Sequence, residues 1–157
     1  MPGSFYLYTN GNVPTNMMRW DGKMSSIGAI GAQFPLSDWA FAVAPFRHSL
    51  PVTEPAVDNS RNDARRRGVL AIGPGGGLDA LLALHYGAAQ FDGAEINPSI
   101  VLLMKEPKYA KYNGGIYSHP AVNIQVADGR AFVREAISKK QKYALLFSAL
   151  TKTATAG

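Results

Sequence analysis

The sequence contains no cysteine. Disulfides and thiolate metal sites are thereby excluded, and a reducing, cytoplasmic setting is expected. Histidine is scarce too. His48, His85 and His119 fall at no metal-ligand spacing, so each reads as a surface or internally satisfied side chain, and no metal is expected. No basic segment near the N-terminus leads into an apolar run, which argues against a signal peptide. Long hydrophobic runs are missing as well. The most apolar window, residues 27–46, is broken by Gln33, Pro35, Asp38 and Pro45, so no membrane segment is expected and the chain reads as soluble. There is no internal repeat and no low-complexity tract. Only 17% of residues are charged, with 16 Lys and Arg against 11 Asp and Glu. The positive residues gather at Arg61, Arg65, Arg66 and Arg67 and at Lys139, Lys140 and Lys142. They form no stripe interleaved with aromatics, so solvated loop charge explains them and no nucleic-acid partner is expected.

What is present points to an α/β domain. At 157 residues and 46% hydrophobic content, the chain suits one cored domain with a small appendage. Val69, Leu70 and Ile72 make an uncharged run of strand formers, as a parallel strand covered on both faces requires. Gly73, Gly75, Gly76 and Gly77 follow, where a sharp turn would let a ligand approach the backbone. A helix is then expected from Leu78 to Tyr86, closed by Gly87. Strands at 90–95, 122–126 and 143–147 alternate with helices beginning after Asn97-Pro98 and Asp128, which implies right-handed βαβ units and a parallel sheet. Pro107 interrupts the helix after Asn97, and residues 108–121 read as a Tyr- and Gly-rich loop.

Upstream, residues 1–47 read as a small β-hairpin region. Asn10-Gly11 and Asp21-Gly22 are hairpin-turn signals, and Pro14 argues for an edge position or a break. Ser37 is expected to cap a short helix through Phe41. Residues 48–67, polar and rich in Pro and Arg, form a connector to the nucleoside-binding domain at 68–157.

Three strand ends would converge at one edge of such a sheet, where open α/β sheets bind ligands. The first carries the glycine turn. The second ends in Glu95, 22 positions after Gly73, which suits a carboxylate accepting from both hydroxyls of a ribose. Ile96 would offer an apolar face to a base. The third ends in Asp128-Gly129: Asp128 would accept from an adenine amino group or simply cap its helix, and Gly129 would leave room for the ring. A dinucleotide turn wants a small residue at position 78, where this chain has Leu78. The glycines read G-x-G-x-G at 73, 75 and 77, which suits S-adenosylmethionine or its decarboxylated form, ligands with no diphosphate to cradle.

Four stretches together resemble the spermidine synthase-like family, the polyamine aminopropyltransferase branch of the S-adenosylmethionine-dependent methyltransferase fold. They are residues 69–79, Ala94-Glu95-Ile96-Asn97-Pro98, Gly114-Gly115-Ile116-Tyr117 and Val126-Ala127-Asp128-Gly129-Arg130. The likeness covers residues 68–157, and a weaker one reaches Tyr8-Thr9-Asn10-Gly11 and Arg19-Trp20-Asp21-Gly22 in the family's N-terminal hairpin region. The resemblance implies a partial Rossmann-like sheet of the class I methyltransferase type. It implies a cofactor site at Gly73, Gly75, Gly77, Glu95, Asp128 and Gly129, with Gly76, Asp79, Ile96 and Asn97 completing the candidate set. Tyr8 and Tyr117 would line a substrate pocket or pack as buried aromatics.

The departures from the family pattern matter as much. The family's aspartate within the glycine motif is Gly76 here. Asp79 would substitute for it from the helix's first turn, or stand there because an acidic group suits a helix start. The family's Tyr-Asp at the fourth strand is Tyr143-Ala144. The stretch that should carry a catalytic aspartate is Ser148-Ala149-Leu150-Thr151-Lys152-Thr153, which has no carboxylate. No catalytic residue can therefore be named. Three readings stay open: aminopropyl transfer to a small-molecule amine such as a polyamine, methyl transfer on the same fold, or a nucleoside-binding scaffold without chemistry. Four strands, where the full sheet has about seven, imply a truncated domain or one whose edge a second copy covers in a homodimer.

Overall fold

The computed structural model describes residues 5–9, 13–42 and 68–148. The Asn10-Gly11 turn, the 48–67 connector, Pro45 and the stretch after Ser148 lie outside the described residues, as does the side chain of Tyr8.

Strands β1 (Phe5–Thr9) and β2 (Val13–Met17) pair antiparallel, with Tyr8 opposite Pro14 in register. Both are edges of a two-stranded sheet, a setting that tolerates a proline. Asp21-Gly22 does not turn a second hairpin. The Asp21 carboxylate accepts from the Lys23 amide and the Ser26 hydroxyl, which leads the chain into a 3-10 turn at Met24–Ser26. Two short helices follow, α1 (Ile27–Gly31) and α2 (Pro35–Ala42). Ser37 lies inside α2 rather than capping it, because Pro35, with its fixed φ, already opens the helix.

The second half is a parallel sheet of β3 (Gly68–Ile72), β4 (Gln90–Glu95), β5 (Val122–Val126) and β6 (Leu145–Phe147), in the order β5-β4-β3-β6. The winding direction reverses between β3 and β6, as in Rossmann-like α/β folds. Helix α3 (Leu78–His85) follows the glycine turn and ends at Gly87, whose φ of +93° is left-handed. Helix α4 (Pro98–Lys105) is capped by Asn97, whose side chain accepts from the Ser99 amide. The expected loop after it contains a further helix, α5 (Pro107–Asn113), and a 3-10 turn at Ile116–Ser118. Pro107 begins this helix as well as ending the previous one, and Tyr109 and Tyr112, three positions apart, pack edge-on against Phe5. Asp128 caps α6 (Gly129–Ser138) by accepting from the Ala131 amide. β6 begins at Leu145, two residues later than expected, and the Tyr143 hydroxyl ahead of it donates to Asp92.

Side-chain alternation divides the core. Val69, Ala71, Phe91, Val122 and Ile124 face α3, α4 and the N-terminal elements, while Leu70 and Ala94 meet Phe132 of α6 on the other face. Phe91 is fully buried in the central strand and contributes about 1.5–3 kcal/mol by burial alone. Met17, Met18, Trp20, Ile27 and Phe41 from the N-terminal region join the same large cluster.

Candidate functional site

The ends of β3, β4 and β5 lie side by side. Ile72 is in register with Ala94, and Glu95 with Val126. Gly73, Glu95-Ile96 and Asp128 are thus brought to one edge of the sheet.

The glycine turn is left-handed at Gly73, Gly75 and Gly77, with φ of +71°, +51° and +93°. These are conformations that glycine adopts without a Cβ penalty. Glu95 ties the turn down. Its Oε2 accepts from the Gly75 amide at 3.1 Å and its Oε1 from the Asn97 amide at 3.0 Å, so one carboxylate joins the turn to the start of α4. The side chain is 5% exposed. Two charge-assisted backbone bonds compensate the cost of burying it. Tyr117 acts from the other side, its hydroxyl donating to the Gly75 carbonyl at 2.6 Å. Burial, with the negative charge of Glu95 and Asp79 nearby, holds that hydroxyl well above its ordinary pKa, so it is a neutral donor. Tyr117 is a buried tie to the turn, 2% exposed, and not an open pocket wall.

The N-terminal hairpin supplies a contact that no local signal announces. Thr15 Oγ1 accepts from the Gly76 amide at 3.2 Å, and the Gly76 carbonyl accepts from the Met18 amide at 3.0 Å. A Cβ on Gly76 would overlap the carbonyl oxygen of Asn16, and one on Gly75 would stand 2.5 Å from Thr15 Oγ1. The room that these glycines leave is filled by β2. Gly129 has a similar explanation: a Cβ there would come within 2.6 Å of Ile72 Cγ2, so its smallness seats the start of α6 on the end of β3.

Asp79 sits in the first turn of α3 and is 6% exposed. Burial with nothing positive to offset it pushes its carboxyl up to about 7. Three groups remain accessible at this edge. Ile96 is 69% exposed, Asp128 is exposed beyond its capping bond, and Asn97 is half-buried. Besides Thr15, sequence patterns did not single out Asn113, whose buried amide donates to the Met104 carbonyl and accepts from Gly115. Its position between Tyr112 and a Gly-Gly pair was the available signal.

No family model, curated protein or solved structure matches this chain. What the chain shows is a mixed α/β fold with a four-stranded parallel sheet. Among the described residues no group of three or more His, Asp or Glu could hold a metal ion, and no helix is long and apolar enough to cross a membrane.

The tie at Tyr117 has a measurable value. Tyr117→Phe leaves the Gly75 carbonyl without its buried donor and is expected to lower unfolding free energy by about 1–2 kcal/mol in urea denaturation.

Proposed function

We propose that this chain is a spermidine synthase-like protein of the class I methyltransferase type. In this reading it binds S-adenosylmethionine or its decarboxylated form at the carboxyl edge of β3, β4 and β5. The reading is carried by one juxtaposition: a left-handed glycine turn, a buried carboxylate and an exposed Ile96–Asp128 pair on three adjacent strand ends. Each residue type suits one part of a nucleoside. Glu95 uses one backbone N–H per oxygen and retains lone pairs for ribose hydroxyls. Ile96 offers an exposed apolar face for a base, and Asp128 keeps its Oδ2 for an amino group while its Oδ1 caps α6. With β2 against Gly75 and Gly76, the exposed groups at this edge are Ile96 and Asp128, which suit the nucleoside half of such a ligand.

The bound sulfonium would supply an electrophilic carbon. This chain's contribution would be to orient the cofactor and an amine such as a polyamine against each other. One observation favours a second reading, nucleoside binding without transfer. Ala144 stands before β6 where the family pattern calls for a carboxylate to draw in a cationic amine.

Calorimetric titration with both cofactor forms, followed by an assay of aminopropyl transfer to a polyamine, separates these. Binding with transfer supports the first reading, binding without transfer the second, and binding of neither form overturns both. Ile96→Ser is the sharpest variant. Because Ile96 is exposed, melting temperature should hold while cofactor affinity falls about tenfold, the equivalent of 1.4 kcal/mol of lost apolar contact. Unchanged affinity would refute the base-stacking assignment.

A further inference from the structure

A concavity lies at the opposite end of the sheet from the glycine turn. It encloses about 350 Å³ and is lined by Gly68, Gln90, Asp92, Tyr143 and the loop from Lys139 to Lys142. That volume is within the range of small-molecule sites.

The loop is held at both ends. At its start, the Lys140 amide donates to the Ile137 carbonyl and the Gln141 amide to the Ala136 carbonyl, closing α6. At its end, the Tyr143 hydroxyl donates to Asp92 Oδ2 at 2.9 Å, and the Ala144 amide donates to the Gly68 carbonyl at 2.8 Å. Three lysines are therefore displayed from a fixed backbone and not from a floppy tail.

The charge balance in this concavity is one-sided. Among the described residues its one carboxylate, Asp92, is 3% exposed, and donors from Gln90, Asn123 and Tyr143 occupy both of its oxygens. Lys139 pairs with Glu135. Lys140 and Lys142 have no ion pair among the described residues.

Backbone conformation adds an independent observation. Lys140 has φ of +54° and is the one described non-glycine residue in the left-handed region. Glycine would serve better at this position after a helix. A cation at a helix C-terminus complements the dipole, but Lys139 and Lys142 flank the same end and would serve that need without strain. Strain kept at one residue of a preorganised cationic loop points to a use for its side chain.

We propose that this concavity binds a small anion carrying clustered phosphate-type charges, with Lys140 and Lys142 as its principal contacts. The site is separate from the nucleoside edge and does not depend on what binds there.

Tripolyphosphate serves as the probe, in calorimetric titration of the whole chain at low ionic strength, with sodium chloride at matched ionic strength as the control. Saturable binding of one ion per chain is expected. Lys140→Ala with Lys142→Ala should weaken it at least tenfold. Lys108→Ala with Lys111→Ala, which removes the same charge from α5, should leave it unchanged. Lys140→Gly should both weaken binding and raise the melting temperature, a combination that a merely structural lysine would not produce. The proposal is overturned if binding is absent or many ions bind per chain. It is equally overturned if both double variants lose affinity alike, or if a single-stranded oligonucleotide binds more tightly than tripolyphosphate, which would make the patch a nucleic-acid surface.

Discussion

Gly76→Ala should cost about 3 kcal/mol of stability, read as a fall of roughly 10 °C in melting temperature. The added methyl would overlap the Asn16 carbonyl oxygen, a backbone atom that no rotamer change can move aside. Relief requires β2 to lift from the turn, which would break the bonds from the Gly76 amide to Thr15 and from the Met18 amide to Gly76. The loss should therefore appear first in the hairpin, as faster amide exchange at Met18 and Gly76 while β4 stays protected. A variant that melts with the parent and keeps those amides protected would show that β2 does not seat on the glycine turn.

Asp79 should impose a pH dependence of opposite sign to the usual one for carboxylates. Burial lifts its folded pKa from an ordinary value near 3.8 to about 7. Between those values the folded chain holds a proton that the unfolded chain has released, so folding becomes less favourable as pH rises. The contribution is fully present below pH 4, declines through about pH 7 and is gone above it, a span of about 4 kcal/mol at most. The α3 N-terminus favours the anion and trims that figure. Glu95 and Tyr117, the neighbours that share its field, supply no positive charge. Asp79→Asn should flatten the slope between pH 4 and 7 and leave the chain more stable than the parent at pH 8. Urea denaturation of both chains across that range measures the difference, and parallel curves would refute the buried assignment.

These two residues also mark the limit of sequence reasoning. Gly76 and Asp79 stand three positions apart in one motif, and the motif marks both as ligand residues. The fold adds what the motif does not announce: a distant hydrogen bond to Gly76 and a burial that raises the Asp79 carboxyl. Thr15 reaches Gly76 across 61 positions and Tyr117 reaches Gly75 across 42. Such pairings leave no periodic trace. Likewise, the sequence reads Gly129 as room for an adenine ring, and the fold adds that its smallness also clears Ile72.

The sequence by itself determined the elements from Gly68 to Ser138, apart from α5 and the 3-10 turn after it, and the caps that bound them. Strand alternation, Asn97 before Pro98, Asp128 before α6 and Gly87 after α3 all act within a few residues, so their physics is complete in the local string. Local pattern does not reveal α5, because the proline that ends one helix starts another equally well. Tertiary structure alone decided three things: that the hairpin closes on the glycine turn, that Glu95 braces the turn and α4 together, and that the lysine loop is anchored over a concavity through Asp92. Each depends on burial and on hydrogen bonds between groups far apart in the chain. A buried polar group must find its partner wherever packing places one, and packing is a property of the whole fold.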